Sequence, residues 1–423
     1  MKPHLSTRFV FAFLLLLIPL STSQAQNLQH AVPEEVGMST ERLTRLSDSM
    51  KEYVDLGQLP GNVILVLKNG KIVFEEANGF QDIESSIPMG KDALFRIASQ
   101  SKAIISAGIL ILQEEGKLIV RDPVSRHLPE YAKTTVAVRT EDGYDVVDAN
   151  RQITIRDLLT HTAGIDYGYG TAAEEWKAEK IQGWYFAHQT EPIRETVRRM
   201  AALPMARQPG EAFVYGYNTD ILGAIIEVAS GQTLDVFLKD RIFDPLHMEN
   251  TFFYVPPSKA HQLTTVYALQ NGELTRAPDE SKMLGQGGYV EGPRTSFSGG
   301  AGLVSTARDY ARFLQMVLNG GNLDGNQVLS PVSVESMLSD HISHLNRTNG
   351  TGMGLGFGVI THLGQYGNLG SVGEFSWGGA YHSSYFVSQS HDMVVVYFTQ
   401  VIPAQGINDH SRLRSLTYQS IIR

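Results

Sequence analysis

The stretch Phe95–Gly116, FRIASQSKAIISAGILILQEEG, sets a serine three residues ahead of a lysine at the head of an apolar run. Ile104, Ile105, Ile109, Leu110, Ile111 and Leu112 leave no continuous polar stripe. The pattern predicts a helix from about Ser99 to Glu115, buried on most faces and stopped by Gly116. A lysine at the mouth of such a helix is costly if its ammonium leaves water without a partner. Either Lys102 reaches solvent or it lies in a cleft. Positions i and i+3 share a helix face, so the Lys102 amine can approach the Ser99 hydroxyl. Burial lowers a lysine pKa and can make the amine a base. The positive end of the helix dipole lies beneath Ser99. These features describe an activated nucleophile that needs no histidine. Ser-x-x-Lys arises by chance about once in a chain of this length. Its placement at the head of an apolar helix is what singles this one out.

On the N-terminal side, Ser39 can cap a helix whose Leu43, Leu46, Met50 and Val54 share a face, ended by Gly57 and Pro60. NVILVLKNGKIVFEEA follows, two β-rich runs around Asn69-Gly70 that predict a hairpin. On the C-terminal side, residues 131–152 are polar and β-leaning, as in a surface hairpin. Thr154 and Asp157 make a capping-box-like start to TIRDLLTHTAG, stopped by Gly164. TDILGAIIEVASG reads as a second apolar helix ending at Gly231, and TLDVFLKDRIF as a third. FSGGAGLVSTARDYARFLQMVLNGG is a glycine turn, a Ser305-Thr306 cap and an amphipathic helix stopped at Gly320. SSYFVSQS and MVVVYFTQ are strand-like, and a final helix is expected from about Asp409 to Ile421. Strands at both ends with helices between predict an α+β fold. One antiparallel sheet would be assembled from both chain ends (about 36–130 and 300–423). A mostly helical lobe (about 131–299) would lie beside it, with the catalytic cleft between.

The chain has 423 residues, 42% hydrophobic, enough for a large core. Its net charge is -9 with no basic block, which argues against nucleic acid and anionic membrane partners. It has no cysteine, so disulfides, thiolate catalysis, cysteine zinc sites and a lipoprotein anchor are excluded. There is no Gly-x-Ser-x-Gly and no His-Glu-x-x-His, and the sequence suggests no metal or cofactor. Lys2, His4 and Arg8 flank the apolar run Phe9–Leu20, followed by Ser23-Gln24-Ala25. Residues 1–25 therefore read as a signal peptide cleaved after Ala25, with an uncleaved anchor as the alternative. Residues 26–35 read as a polar linker. A bacterial periplasmic or secreted location is expected, with no stable membrane insertion after cleavage.

Two further stretches carry chemistry. FVYGYNTDILG puts Tyr215 after the Pro209-Gly210 turn and just before an apolar helix. A tyrosine beside a lysine can hold phenolate character and relay protons. FSWGGAYHSSYFV, Phe375–Val387, has two glycines inside a strand pattern. Something must approach that backbone closely, and its N–H groups could form an oxyanion hole.

With these three stretches in order, the chain resembles the penicillin-recognising serine hydrolases. It is near the class C β-lactamases and more similar to the family VIII carboxylesterases. FRIASQSK resembles the Ser-x-x-Lys motif, YGY stands where the family has Tyr-x-Asn or Tyr-Ser-x, and WGG stands where the esterases have Trp-Gly-Gly. ITIRDLLTHTAGI, FSGGAGLVSTARDYARF and IFDPLHMENT also resemble family stretches. The likeness runs from about residue 36 to 423. The resemblance implies a β-lactamase/transpeptidase-like fold and an acyl-enzyme on Ser99. It implies that Lys102 and Tyr215 share proton transfer, and that the N–H groups of Ser99 and Ala380 form the oxyanion hole. Trp377, Gly378, Gly379, Tyr217, Asn218 and His382 would line the substrate site. Three departures matter. Tyr217 stands where the family has Asn, with Asn218 one place later. Trp377 replaces the lysine of the β-lactamase motif, which tilts the expectation toward neutral esters. YHSS follows where relatives often have Gly-Thr, so His382 either touches a substrate acid group or points away.

His161 ends a short helix and reads as structural. Gly299, Gly300 and Gly302 read first as turn residues, near the cleft only by resemblance. Tyr167, Tyr169, Trp184 and Tyr185 either wall an acyl pocket or pack the helical lobe. The expected function is an exported serine hydrolase acting on a small-molecule ester or amide, most simply a carboxylic ester. A β-lactamase and a D-alanyl carboxypeptidase or aminopeptidase are the enzymatic alternatives. A silent penicillin-binding or sensor module is the alternative of another class. The oligomeric state is not legible.

Overall fold

Asn69 and Gly70 both have positive φ, 52° and 71°, as the tightest hairpin turns require. They join the strands Gly61–Lys68 and Lys71–Asp82. This computed structural model of the protein describes residues 28–423 other than Ser281 and Asn346. The signal-peptide reading of residues 1–25 lies outside the described residues. On its other edge, Gly61–Lys68 pairs antiparallel with Met393–Phe398, Val63 opposite Phe398 and Lys68 opposite Met393. The chain ends thus meet in the middle of an eight-stranded sheet. Its order is Thr351–Met353, Gly358–Ile360, Phe375–Gly378, Ser384–Ser388, Met393–Phe398, Gly61–Lys68, Lys71–Asp82 and Ile87–Pro88.

Every residue of Gly61–Lys68 is buried, because both faces of the strand are covered. Ile64 and Val66 face a cluster with Leu43, Leu46, Met50 and Leu413. These come from the terminal helices Thr40–Asp55 and Asp409–Gln419. Val63, Leu65 and Leu67 point the other way, into the main core with Ile104, Ile109, Phe313 and Leu314. Ser39 caps the first helix, its side chain accepting from the Arg42 amide. Tyr53 is buried on that helix while the expected Val54 is half-buried.

The apolar segment forms the helix Ser101–Glu114, preceded by a 3-10 turn over Ala98–Gln100. Ser99 therefore sits on the turn, whereas the spacing predicts it within the α-helix. The helix crosses Asn218–Ser230 at Gly108, where a Cβ would lie 3.0 Å from Ile226 Cδ1. The Thr154–Asp157 capping box and the hairpin Thr135–Thr140 with Gly143–Asp148 form as read.

The middle of the chain also holds a hairpin not predicted above, although its Asn271-Gly272 turn has the same pair of positive φ angles, 52° and 81°. Tyr267–Gln270 pairs with Glu273–Arg276, and Val401–Ala404 joins in parallel, tying the middle of the chain to its C-terminal part. The stretch read as a linker is also docked in its described part. Ala31 N–H bonds Ile72 O and Ile72 N–H bonds Gln29 O, at 2.9 and 2.8 Å. A strand edge left open by Lys71–Asp82 gives those backbone groups partners. No single helix among the described residues is long and apolar enough to cross a membrane.

Leu65→Ala is expected to destabilise the fold by about 2–5 kcal/mol, read by denaturant unfolding. A loss below about 0.5 kcal/mol, as at ordinary surface positions, would contradict two-sided burial of this strand.

Candidate active site

The turn at Ala98–Gln100 is fixed from both sides. Phe95 and Arg96 pair with Ser305 and Val304, Ile97 N–H bonds Leu303 O at 3.0 Å, and Leu303 N–H bonds Ser101 Oγ at 3.1 Å. Ala98 adopts φ 43°, a left-handed conformation costly for alanine that surrounding structure must enforce. Ala98 and Gln100 are buried, and Ser99 between them is half-exposed.

Lys102 is 2% exposed. Its ammonium donates to Ser99 Oγ at 3.3 Å, Tyr167 Oη at 3.2 Å and Gly300 O at 2.6 Å. An ammonium has three protons, and these are three acceptors. Burial alone would lower the Lys102 pKa, but Tyr167, Tyr215 and Asp220 around it outweigh burial and hold it above the ordinary lysine range. The surroundings of Lys102 therefore oppose the lowering that burial alone would give. With Lys102 donating to Ser99 Oγ, the serine's own proton is left for another acceptor.

Tyr215 supplies the nearby face. Lys102 Nζ lies 4.7 Å from its ring centroid, and Trp377 Nε1–H donates to its hydroxyl at 3.2 Å. Behind the ring, at 4.6 Å between centroids, stands His161. Burial first, and then the Lys102 charge, push the His161 pKa well below its usual value, so its ring is neutral. Asn218 Nδ2 donates to His161 Nδ1 at 3.0 Å and to Ile165 O at 3.3 Å. Tyr217 stacks on Trp176 and donates to Tyr167 O at 3.2 Å. Both Tyr217 and Asn218 are 0% exposed. This corrects their reading as substrate contacts: they brace Tyr167 and His161 from inside the core. Gly216, between Tyr215 and Tyr217, is required by crowding, since a Cβ there would lie 2.4 Å from Ile165 O.

Gly300, read first as a turn residue, carries an acceptor for Lys102. Buried Asp220 shapes that turn: its Oδ1 accepts from Ser298 Oγ at 2.6 Å and from Gly300 N–H at 3.1 Å. A Cβ on Gly300 would meet Asp220 Oδ2 at 2.4 Å. Of the four aromatic residues singled out earlier, Tyr167 enters the site. Trp184 packs edge-on to Tyr381 at 5.5 Å, Tyr185 bonds Gly288 N–H in the interior, and Tyr169 is exposed. Nothing but its aromatic surroundings marked Tyr167 in the sequence.

The strand end Phe375–Gly378 brings the third stretch against the serine turn. A Cβ on Gly379 would lie 2.6 Å from Ile97 O, so only glycine allows the approach. Gly379 N–H bonds Ser383 O at 2.7 Å and His382 N–H bonds Gly379 O at 3.1 Å. The Ala380 N–H has no acceptor among the described residues. Trp377 and Gly378 are half-buried beside them. His382 turns away, which corrects its reading as a substrate contact. Its Nε2 bonds Asp409 Oδ1 at 2.8 Å and its ring stacks on His410 at 4.2 Å. His382, Asp409 and His410 are grouped as metal ligands could be. Their atoms are engaged with one another and with Tyr397, which donates to Asp409 Oδ2 at 2.6 Å. The group anchors this turn to the C-terminal helix.

A family model described as Beta-lactamase matches residues 46–415. The chain belongs to the beta-lactamase family. It is a serine hydrolase of that family, on the side of the family VIII carboxylesterases. Protein Rv1367c of Mycobacterium tuberculosis is 32% identical over 380 residues, covering 85% of this chain and 90% of that one. Esterase EstB of Burkholderia gladioli is 29% identical over 360 residues, covering 81% and 86%. The solved structure of EstCE1, a hydrolase with promiscuous acyltransferase activity, superposes with a TM-score of 0.76 at 27% identity, covering 89% and 98%.

Gly379→Ala is expected to lower kcat about 100-fold, the order of a misplacement near 1 Å at a reacting centre. Gly378→Ala, whose nearest new neighbour is Ser383 O at 3.3 Å, should retain most activity. Equal tolerance at both positions, read by steady-state ester hydrolysis, would contradict the close approach.

Proposed function

We propose that the protein is an exported carboxylesterase working through an acyl-enzyme on Ser99. The observation that carries this reading is the Lys102 ammonium, which holds Ser99 Oγ as an acceptor and leaves the serine proton free. Tyr215 takes that proton while Ser99 Oγ attacks the ester carbonyl. The ammonium beneath the Tyr215 ring stabilises the phenolate character this requires. The N–H groups of Ser99 and Ala380 receive the developing oxyanion. As the carbonyl–oxygen bond breaks, Tyr215 returns the proton to the leaving alcohol. Water then repeats the cycle and releases the acid. Tyr167 shares the ammonium but is held by burial above the usual tyrosine pKa, so it serves as a fixed partner.

An ester is favoured because Trp377 presents a ring and an N–H toward Tyr215 where the β-lactamase motif has a lysine. The names of EstB and EstCE1 support an ester-directed chemistry. Export is supported by the basic and apolar composition of residues 1–25 alone.

The test is hydrolysis of p-nitrophenyl butyrate by residues 26–423, wild type beside Ser99→Ala and Lys102→Met. Wild-type turnover, lost by about 1000-fold or more in both variants, is expected. Turnover that survives in Ser99→Ala would overturn the nucleophile. No wild-type turnover, with hydrolysis of a β-lactam or a D-alanyl peptide instead, would overturn the ester class.

A further inference from the structure

The aromatic wall that begins at Trp377 continues past Tyr215. The Trp377 and Tyr215 rings lie 5.7 Å apart, the Tyr215 and Phe213 rings 6.4 Å. The Arg347 guanidinium then sits 5.1 Å from the Phe213 centroid. Phe213 and Tyr215 are half-buried and Arg347 is exposed, so this ladder faces open space and ends in a cation. Phe213, His344, Leu345 and Arg347 line a cavity of about 550 Å³. It shares His344 and Glu211 with a polar cavity of about 300 Å³ that includes Arg156 and His341.

Charge in this groove is unbalanced. Arg151 and Asp157 neutralise each other at 2.6 Å. Among the described residues, neither Arg156 nor Arg347 has an acidic partner. Arg156 donates only to the His341 carbonyl, at 3.1 Å. Glu211 is the other acid lining the two cavities, so three arginines (Arg151, Arg156, Arg347) stand against two carboxylates (Asp157, Glu211). In a chain of net charge -9, a local cationic groove opening off the catalytic wall attracts anions.

We propose that this groove is a subsite for a carboxylate on the leaving-alcohol half of the substrate. The inference rests on the ester reading above. Tyr215 delivers the proton to the leaving oxygen, so the alcohol half lies on its side of the cleft. An apolar or aromatic body then follows the Tyr215 and Phe213 faces, and its terminal carboxylate meets Arg347, with Arg156 and His344 behind. The substrate class is thus an ester of a hydroxy acid whose acid end lies two ring steps from the scissile bond. No extra reactant is needed: the alcohol leaves protonated, still carrying its carboxylate.

The test compares two butyrate esters at low ionic strength. One has a para-hydroxyphenyl alkanoic acid as its alcohol; the other carries a primary amide in place of that acid. Wild type should favour the acid by about three- to fivefold in kcat/KM, the range of an exposed ion pair, through KM. The preference should fade in added salt and fall to about one in Arg347→Gln. A wild-type ratio of one, or a ratio unchanged in Arg347→Gln, would overturn the subsite. If neither ester is turned over, the ester reading fails, and the subsite is read by ligand-observed NMR of the free hydroxy acid. Binding that depends on Arg347 supports the subsite, and no binding overturns it.

Discussion

A buried ammonium must find three acceptors, and the active site is the solution to that constraint. Lys102 reaches Ser99, Tyr167 and Gly300, three residues far apart in sequence. Each lies on a different support: the serine turn, the loop after the Thr154-capped helix, and the glycine turn ahead of the Ala307–Leu318 helix. Losing any one would leave a desolvated charge short of a partner, at a cost larger than an ordinary hydrogen bond. The ammonium therefore ties the two halves of the molecule together as well as holding the Ser99 hydroxyl.

Close backbone approach makes the arrangement possible. Gly216 lies on Ile165–Asp166, Gly300 lies on Asp220, and Gly379 lies on Ile97. Ala98, in contrast, holds a strained left-handed conformation enforced by the strand pair on one side and the apolar helix on the other. The glycines give permissive contact and the alanine gives a fixed angle, so Ser99 is presented at a turn that has little freedom to relax.

The elements marked by strong local physics were legible in the sequence. Asn69-Gly70, the Ser39 and Thr306 caps and the Gly231 stop each act within a few residues. The motifs also identified Ser99, Lys102 and Tyr215, which the fold brings together. What sequence reasoning missed depends on partners distant along the chain. Burial was expected to lower the Lys102 pKa, but Tyr167 and Asp220 reverse the effect, and spacing along the chain could not reveal their proximity. Tyr217 and Asn218 follow Tyr215 directly, yet the turn into the next helix sends them inward. His382 was pulled from the cleft by Asp409 on the last helix. The Tyr267–Arg276 hairpin turns on Asn271-Gly272, the same local signal as Asn69-Gly70, so it was legible and passed over; only its docking, with buried Tyr267 and Leu269 beside Val401–Ala404, depends on distant chain.

The measurement that bears most directly on this account is the protonation state of Lys102. Lysine side-chain NMR of the folded enzyme, with Lys102→Met assigning the signal, would follow it across pH. The account predicts an ammonium that does not titrate below about pH 10, at or above the reference lysine value. Titration between about pH 7 and 8, the range of a lysine tuned as a general base, would contradict it and return the role of base to Lys102.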